Sequence, residues 1–280
     1  MDFLLRIFSC DVAVCCGDET SSTLLRECYS AFLISDETDS RPALAYDVSL
    51  IGHGSGWLLS CDGAAMHCRN NHDLIYEFEK DMTERLQLLR ADLFFVHGAA
   101  LSVADRCVII SGESGSGKSS LAWCLSHLGF EYLSDELAPI DPPALDVEPY
   151  PHALCLKGQP LCEPALPDST QYTAASNHVP AYELPTRAPA RRCRLGFLVF
   201  IDRVSDSREL VVRCIGKAES AARLYSNGLN QLSHQGDGLP TVAAIASTIP
   251  SYLMSGGAIE DRARAVRDLF DSAAVKQAEL

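Results

Sequence analysis

Residues Gly112-Glu113-Ser114-Gly115-Ser116-Gly117-Lys118-Ser119 follow the spacing GxxxxGK[ST], a pattern built to hold phosphate. Glycines tolerate positive φ, so successive backbone N–H groups can converge on phosphate oxygens. Lys118 can then reach the β- and γ-phosphates, and the Ser119 hydroxyl can ligate Mg²⁺. The apolar run Cys107-Val108-Ile109-Ile110 precedes the loop, and Ser120-Leu121-Ala122-Trp123-Cys124-Leu125 follows it. Strand, loop and helix are therefore expected in that order, with the helix N-terminus adding its dipole to the anion site. The second glycine-rich run, residues 52 to 56, lacks both this spacing and a following helix, and reads as a turn.

Phosphoryl transfer also needs a carboxylate to hold metal or orient the nucleophile. Two candidates compete. Asp135-Glu136 lies at the end of the strand expected after the loop helix, where adjacent acids point to opposite faces. Asp202 closes the run Leu198-Val199-Phe200-Ile201, an ordinary Walker B pattern, but the residues after it read as an exposed hairpin turn. Four arginines, Arg187, Arg191, Arg192 and Arg194, form either a clamp for ATP phosphates or an acidic peptide, or a solvated basic loop. Lys157 either contacts phosphate or snorkels from a strand end.

The elements that must position these residues are legible in part. With 280 residues and 47% apolar composition, the chain can bury one large core or two modest ones. Residues 1–74 alternate short apolar runs with turn-like clusters, which predicts a small β-rich extension. Leu74, Ile75, Phe78, Met82, Leu86 and Leu89 recur at helical spacing. Strands are expected at Leu93–His97 and Cys107–Ile110 around a turn at Asp105-Arg106, then at Phe130–Leu133, after Gly129 ends the loop helix. The proline-rich stretch from Pro139 to Pro189 reads as extended strands and loops over the active face. Further strands are expected at Leu195–Ile201 and Glu209–Cys214, and helices near Ala218–Ser226 and at Ala258–Leu269.

A formal charge of −14 argues against general binding to nucleic acid or anionic membrane, which need extended basic surface. No run is long enough to span a bilayer, and the acid at Asp2 and the interruptions at Arg6, Ser9 and Asp11 do not suit a signal peptide, so a cytoplasmic protein is expected. The 12 cysteines contain no CxxC pair and mostly lie in apolar runs, where a thiol behaves as a small hydrophobe.

Phe95-Val96-His97-Gly98-Ala99-Ala100, the loop Gly112–Ser119 and Leu133-Ser134-Asp135-Glu136 together resemble the catalytic domain of HPr kinase/phosphorylase. They look closer still to HPr-kinase-related serine kinases found beside peptide-modification and surface-polysaccharide genes. The proline-led stretch Pro149–Lys157 and Ser251-Tyr252-Leu253 with its following helix are similar as well. The resemblance runs from about residue 90 to 270; residues 1–89 do not resemble the N-terminal domain of HPr kinase. It implies an α/β phosphate-loop kinase domain of the HPr kinase and phosphoenolpyruvate carboxykinase type at 90–280, with a β-rich extension ending in a helix at 1–89.

By the same resemblance, the acidic pair replaces Walker B: Asp135 accepts the substrate hydroxyl proton, Glu136 assists Mg²⁺, and His97 lies near the transferred phosphate. A core histidine at a strand end is the alternative for His97. The implied activity is transfer of phosphate from ATP to a serine of a peptide or small protein. A sugar or lipid-linked acceptor, or a nucleotide-gated peptide-binding module, stands beside it. HPr kinase forms hexamers, so a homo-oligomer stays open. The chain departs from HPr kinase in carrying Asp-Glu for two aspartates and in lacking a Glu-x-Arg-Gly segment, which puts reverse phosphorolysis in doubt.

Overall fold

The computed structural model describes residues 2–35, 41–52, 56–159, 164–186, 191–202 and 209–278. They form a mixed α/β fold with several sheets, divided into two compact units. The first contains Met1–Ala91, Tyr150–Gln159 and Leu166–Leu184; the second contains Asp92–Pro149, Pro160–Ala165 and Pro185–Leu280.

The first unit opens with β1 (Asp2–Ile7), β2 (Cys10–Cys16), α1 (Glu19–Cys28), β3 (Leu33–Ile34), β4 (Leu44–Leu50), β5 (Trp57–Cys61), β6 (Ala64–Cys68) and α2 (Asn71–Leu89). Its strands make a six-stranded sheet in the order β3-β1-β2-β4-β5-β6. Phe8 and Ser9, and then Asp62 and Gly63, take positive φ between paired antiparallel strands, the backbone a tight two-residue hairpin turn requires. In α2, Asn70 accepts from the Asp73 N–H at 3.0 Å as the N-cap, and Leu74, Ile75, Phe78, Met82 and Leu86 are buried as their spacing predicts, whereas Leu89 at the helix end is exposed. The extension also contains α1, which the sequence reading lacks; Asp18 caps it by accepting from Ser21 N–H at 3.0 Å.

The second unit then begins with β7 (Phe94–Val103), β8 (Arg106–Ser111), α3 (Lys118–His127), β9 (Glu131–Ser134), β10 (Leu137–Asp141) and β11 (Asp146–Val147). β7 runs six residues past the expected strand end at His97 and turns at Ala104-Asp105, both at positive φ. β12 (Leu154–Leu156), β13 (Gln171–Tyr172) and β14 (Asn177–Val179) form a three-stranded sheet within the first unit. Ala153 N–H donates there to Cys28 O at 2.7 Å, and His152 Nε2 lies 2.7 Å from Glu79 Oε1. Most of the proline-rich stretch is thus grouped with the N-terminal strands, not with the loop at 112–119.

The second unit is completed by β15 (Cys193–Ile201), β16 (Val211–Cys214), α4 (Lys217–Asn227), α5 (Leu239–Thr248), β17 (Ser251–Ser255) and α6 (Ile259–Ala278). Its eight-stranded sheet has the order β11-β10-β7-β8-β15-β17-β16, with β9 also on β7. β8, β15 and β17 are parallel neighbours, and the buried apolar runs of β8 and β15 suit strands covered on both faces. Gly129, at φ 86°, ends α3 as expected.

Candidate active site

The loop begins where β8 ends. Ser111 Oγ donates to His97 O at 2.9 Å, and Ser116 N–H closes a turn onto Glu113 O at 3.1 Å. Gly115 and Gly117 sit at φ 80° and 98°, conformations that a side chain would strain. Gly112 is required for another reason: a Cβ there would fall far inside contact distance of Ile201 O at the end of β15. Gly117 caps α3, and the first amides of that helix, including those of Ser119 and Ser120, lack carbonyls a turn earlier. Lys118 is 7% exposed and arches back over the loop, its Nζ donating to Gly112 O at 2.8 Å and Glu113 O at 3.2 Å. The outer part of the loop, Glu113, Ser114 and Gly115, is exposed. An ammonium held by loop carbonyls beside unsatisfied helix amides is an arrangement that can accept a polyphosphate.

Strand register brings the other candidates to the same sheet edge. Ser111 stands between Gly98 of β7 and Phe200 of β15, Phe200 is opposite Leu253 of β17, and Leu137 at the start of β10 is opposite His97. The loop after β8, the Asp135-Glu136 interruption between β9 and β10, Asp202 after β15 and the Gly256-Gly257 turn after β17 all lie along this edge. Asp135 is 1% exposed and its Oδ1 accepts from the Tyr132 hydroxyl at 2.7 Å. The Glu136 side chain is 51% exposed, with Oε1 3.2 Å from His97 Nδ1. Gly98 N–H donates to Glu136 O at 3.1 Å, which fixes the pair beside the end of β8. The Asp202 side chain is half-exposed, its N–H donates to Met254 O at 3.1 Å, and its Oδ1 accepts from Arg223 Nη1 at 3.2 Å. Placement along the edge therefore leaves both carboxylate candidates beside the loop.

Of the four arginines, Arg191, Arg192 and Arg194 are described and exposed. Arg194 is opposite Arg106, the first residue of β8, whereas the loop follows Ser111 at its other end, about 17 Å away at strand rise. Arg191 pairs with Asp105, and Arg192 pairs with Asp141 at 2.5 Å and Glu148 at 3.0 Å. Arg191 and Arg192 are thus paired with acids of their own unit. Arg187 and the expected turn at 203–207 lie outside the described residues, as do residues 53–55 of the second glycine-rich run. Lys157 is exposed and belongs to the first unit.

Two residues at the site escaped the sequence reading. Tyr132 looked like an ordinary strand residue. Arg262 of α6 is 1% exposed, donating from Nε to Gly256 O at 2.8 Å and from Nη1 to Ser116 O at 3.3 Å. Its signal was available: it lies four residues before Val266, beside the buried stripe Ala263, Val266 and Phe270, where a surface helix carries apolar residues.

No protein-family model matches the chain, and no curated protein matches it in sequence. Among solved structures it is similar to an HPr(Ser) kinase/phosphatase from Coxiella burnetii, at 14% identity and a TM-score of 0.34, over 66% of this chain and 98% of that one. What the site can do is therefore read from its own residues. Among the described residues no helix is long and apolar enough to cross a membrane, and no three His, Cys, Asp or Glu side chains gather as a metal site.

Proposed function

We propose that the second unit is a phosphate-loop kinase of the HPr-kinase type, transferring the γ-phosphate of ATP to a serine hydroxyl on a peptide or small protein. The observation that carries the reading is the juxtaposition of Lys118 and the glycine loop with the Asp135-Glu136 pair on one sheet edge. Ser119, at the first turn of α3, and a carboxylate of the pair would hold Mg²⁺; a site completed by phosphate oxygens needs only one or two protein ligands. Bound there, the metal would offset charge on the transferring group. Lys118 and the loop amides hold the β- and γ-phosphates in line with the acceptor. Asp135 takes the hydroxyl proton as the oxygen bonds to phosphorus and the bond to the ADP oxygen breaks. His97, held by Glu136, flanks the transferred group.

The difference in exposure favours a second assignment within this reading. Glu136 is open to an incoming hydroxyl while Asp135 is enclosed with Tyr132, so Glu136 could accept the proton and Asp135 face the metal. Mass spectrometry of a peptide library incubated with the protein, ATP and Mg²⁺ tests both. A gain of about 80 Da, one phosphate, that is absent in Lys118→Ala supports the kinase. Loss of transfer with retained ATP binding in Asp135→Asn but not Glu136→Gln supports the first assignment, and the reverse pattern the second. ATP binding without any mass gain would sink the peptide-kinase reading.

A further inference from the structure

Among the described residues Arg262 is the largest buried charged side chain of the second unit, and packing alone does not account for it. An apolar residue of similar volume fills such a place without the cost of removing a guanidinium from water. Its donors go to backbone: Nε to Gly256 O in the turn before α6, and Nη1 to Ser116 O inside the phosphate loop. Nη2 is buried and meets no hydrogen-bond partner among the described residues; the same holds for Ser116 Oγ. Burial pushes the guanidinium below its usual range, and the charge of Asp202 works against that shift. The first turn of α6 also touches the loop, since a Cβ on Gly117 would stand 3.9 Å from Ile259 Cδ1. Ile259 and Arg262, three residues apart, share one helical face.

The consequence follows from peptide geometry. In a planar trans peptide the carbonyl of one residue and the N–H of the next point in opposite directions. Arg262 holds the Ser116 carbonyl towards the buried side, so the Gly117 N–H is turned the other way, out of the loop. Gly117 is at φ 98°, where nothing in its own side chain constrains that peptide. An external anchor is what a glycine peptide needs if it is to stay aligned without ligand.

We propose that Arg262 is a positioning residue of the phosphate loop: it pins the 116–117 peptide from within, aiming the Gly117 amide at bound phosphate, and so makes α6 part of the nucleotide site. This rests on the nucleotide reading above. It predicts a specific loss in binding polyphosphate, because one amide of the cradle is no longer held in place.

The test measures ATP and ADP affinity by calorimetry in wild type, Arg262→Met, Arg262→Ala and Arg262→Lys, with circular dichroism to confirm folding. Arg262→Met should weaken both nucleotides about tenfold or more, the scale of one charge-assisted hydrogen bond. Arg262→Lys should recover part of the loss. Guanidinium ion at a non-denaturing concentration should restore binding to Arg262→Ala and not to Lys118→Ala, an outcome that a general packing defect would not give. Folded variants that bind as wild type, or an alanine variant deaf to guanidinium, would overturn the role of Arg262 while leaving the nucleotide site standing. Wild type that binds neither nucleotide would remove the site and this role together. Should no variant fold, the wild-type chain decides: the Arg262 Nη1–H resonance, of the group that donates to Ser116 O, should move when ADP is added, and a resonance that stays put would overturn the proposal.

Discussion

Asp135 and Glu136 are adjacent in sequence and opposite in surroundings. One is enclosed with a tyrosine hydroxyl at 2.7 Å; the other reaches solvent beside an imidazole at 3.2 Å. Such a difference lets two carboxylates take different roles in one reaction. Tyr132 is itself buried at 1% exposure, and its hydroxyl donates to Asp135. Tyr132→Phe removes that bond and keeps the ring, and should cost about 1.5–3 kcal/mol in urea unfolding, the range for a hydrogen bond to a charged group. If Asp135 acts in transfer, the same variant should lower kcat with the KM for ATP little changed, since the phosphate cradle is untouched. Unaltered stability and turnover would mean that Tyr132 does not orient the carboxylate. The acidic pair stood out in the sequence because it directly follows a short strand after a clear motif. Tyr132 did not, because a tyrosine in a strand has many uses and only its depth and its partner decide among them.

At the scale of elements, the loop is fitted to two neighbours. The end of β15 approaches so closely that only a glycine fits at 112, and α6 grips α3 and its flanks. Arg262 reaches the loop before α3, and Arg267 donates to the Leu128 carbonyl at its other end, where a cation meets the negative end of the helix dipole. Phe270 packs edge-on to Phe130 and Phe197, with ring centroids 5.1 and 4.8 Å away. Gly112→Ala tests the first fit. It should weaken nucleotide binding at least about tenfold through displacement of the loop, and destabilise the fold by about 1–3 kcal/mol, the cost of forcing volume into a packed site. Wild-type affinity and stability would show that β15 yields easily and that the glycine is incidental. The strand and helix that flank the motif were legible since each depends on local backbone needs, and Gly115 and Gly117 between them take positive φ. The two readings of the arginine cluster stayed open because charge density in sequence says nothing about partners: the acids Asp105, Asp141 and Glu148 come to Arg191 and Arg192 from remote positions in the chain. α1 escaped because ten residues rich in Ser, Thr and Glu carry little helical signal without the Asp18 cap.

At the scale of the whole molecule, the chain leaves the first unit after residue 91 and returns to it at 150. Contacts between residues remote in sequence set that return, among them Tyr150 against Phe8 and Phe32 with ring centroids 5.4 and 5.3 Å away, and no local pattern announces them. The return also buries His178 of β14 at 5% exposure, where its Nε2 lies 2.9 Å from Ser176 Oγ. Burial pushes this imidazole down to about 4; Glu79 opposes the shift, and His152 and His72 add to it. The unfolded chain takes up this proton below about pH 6.5, whereas the folded unit resists it until about pH 4. His178 therefore leaves stability intact above about pH 6.5 and erodes it as pH falls towards 4. Between pH 7 and pH 5 wild type should lose about 2 kcal/mol more than His178→Gln, a difference that urea unfolding at the two pH values would measure. The glutamine keeps a polar group near Ser176 and carries no titrating proton, so a steeper loss in wild type isolates the imidazole from the carboxylates common to both. Equal losses would mean that His178 accepts its proton as readily in the folded unit as in the unfolded chain, and that the returning segment does not seal it from water.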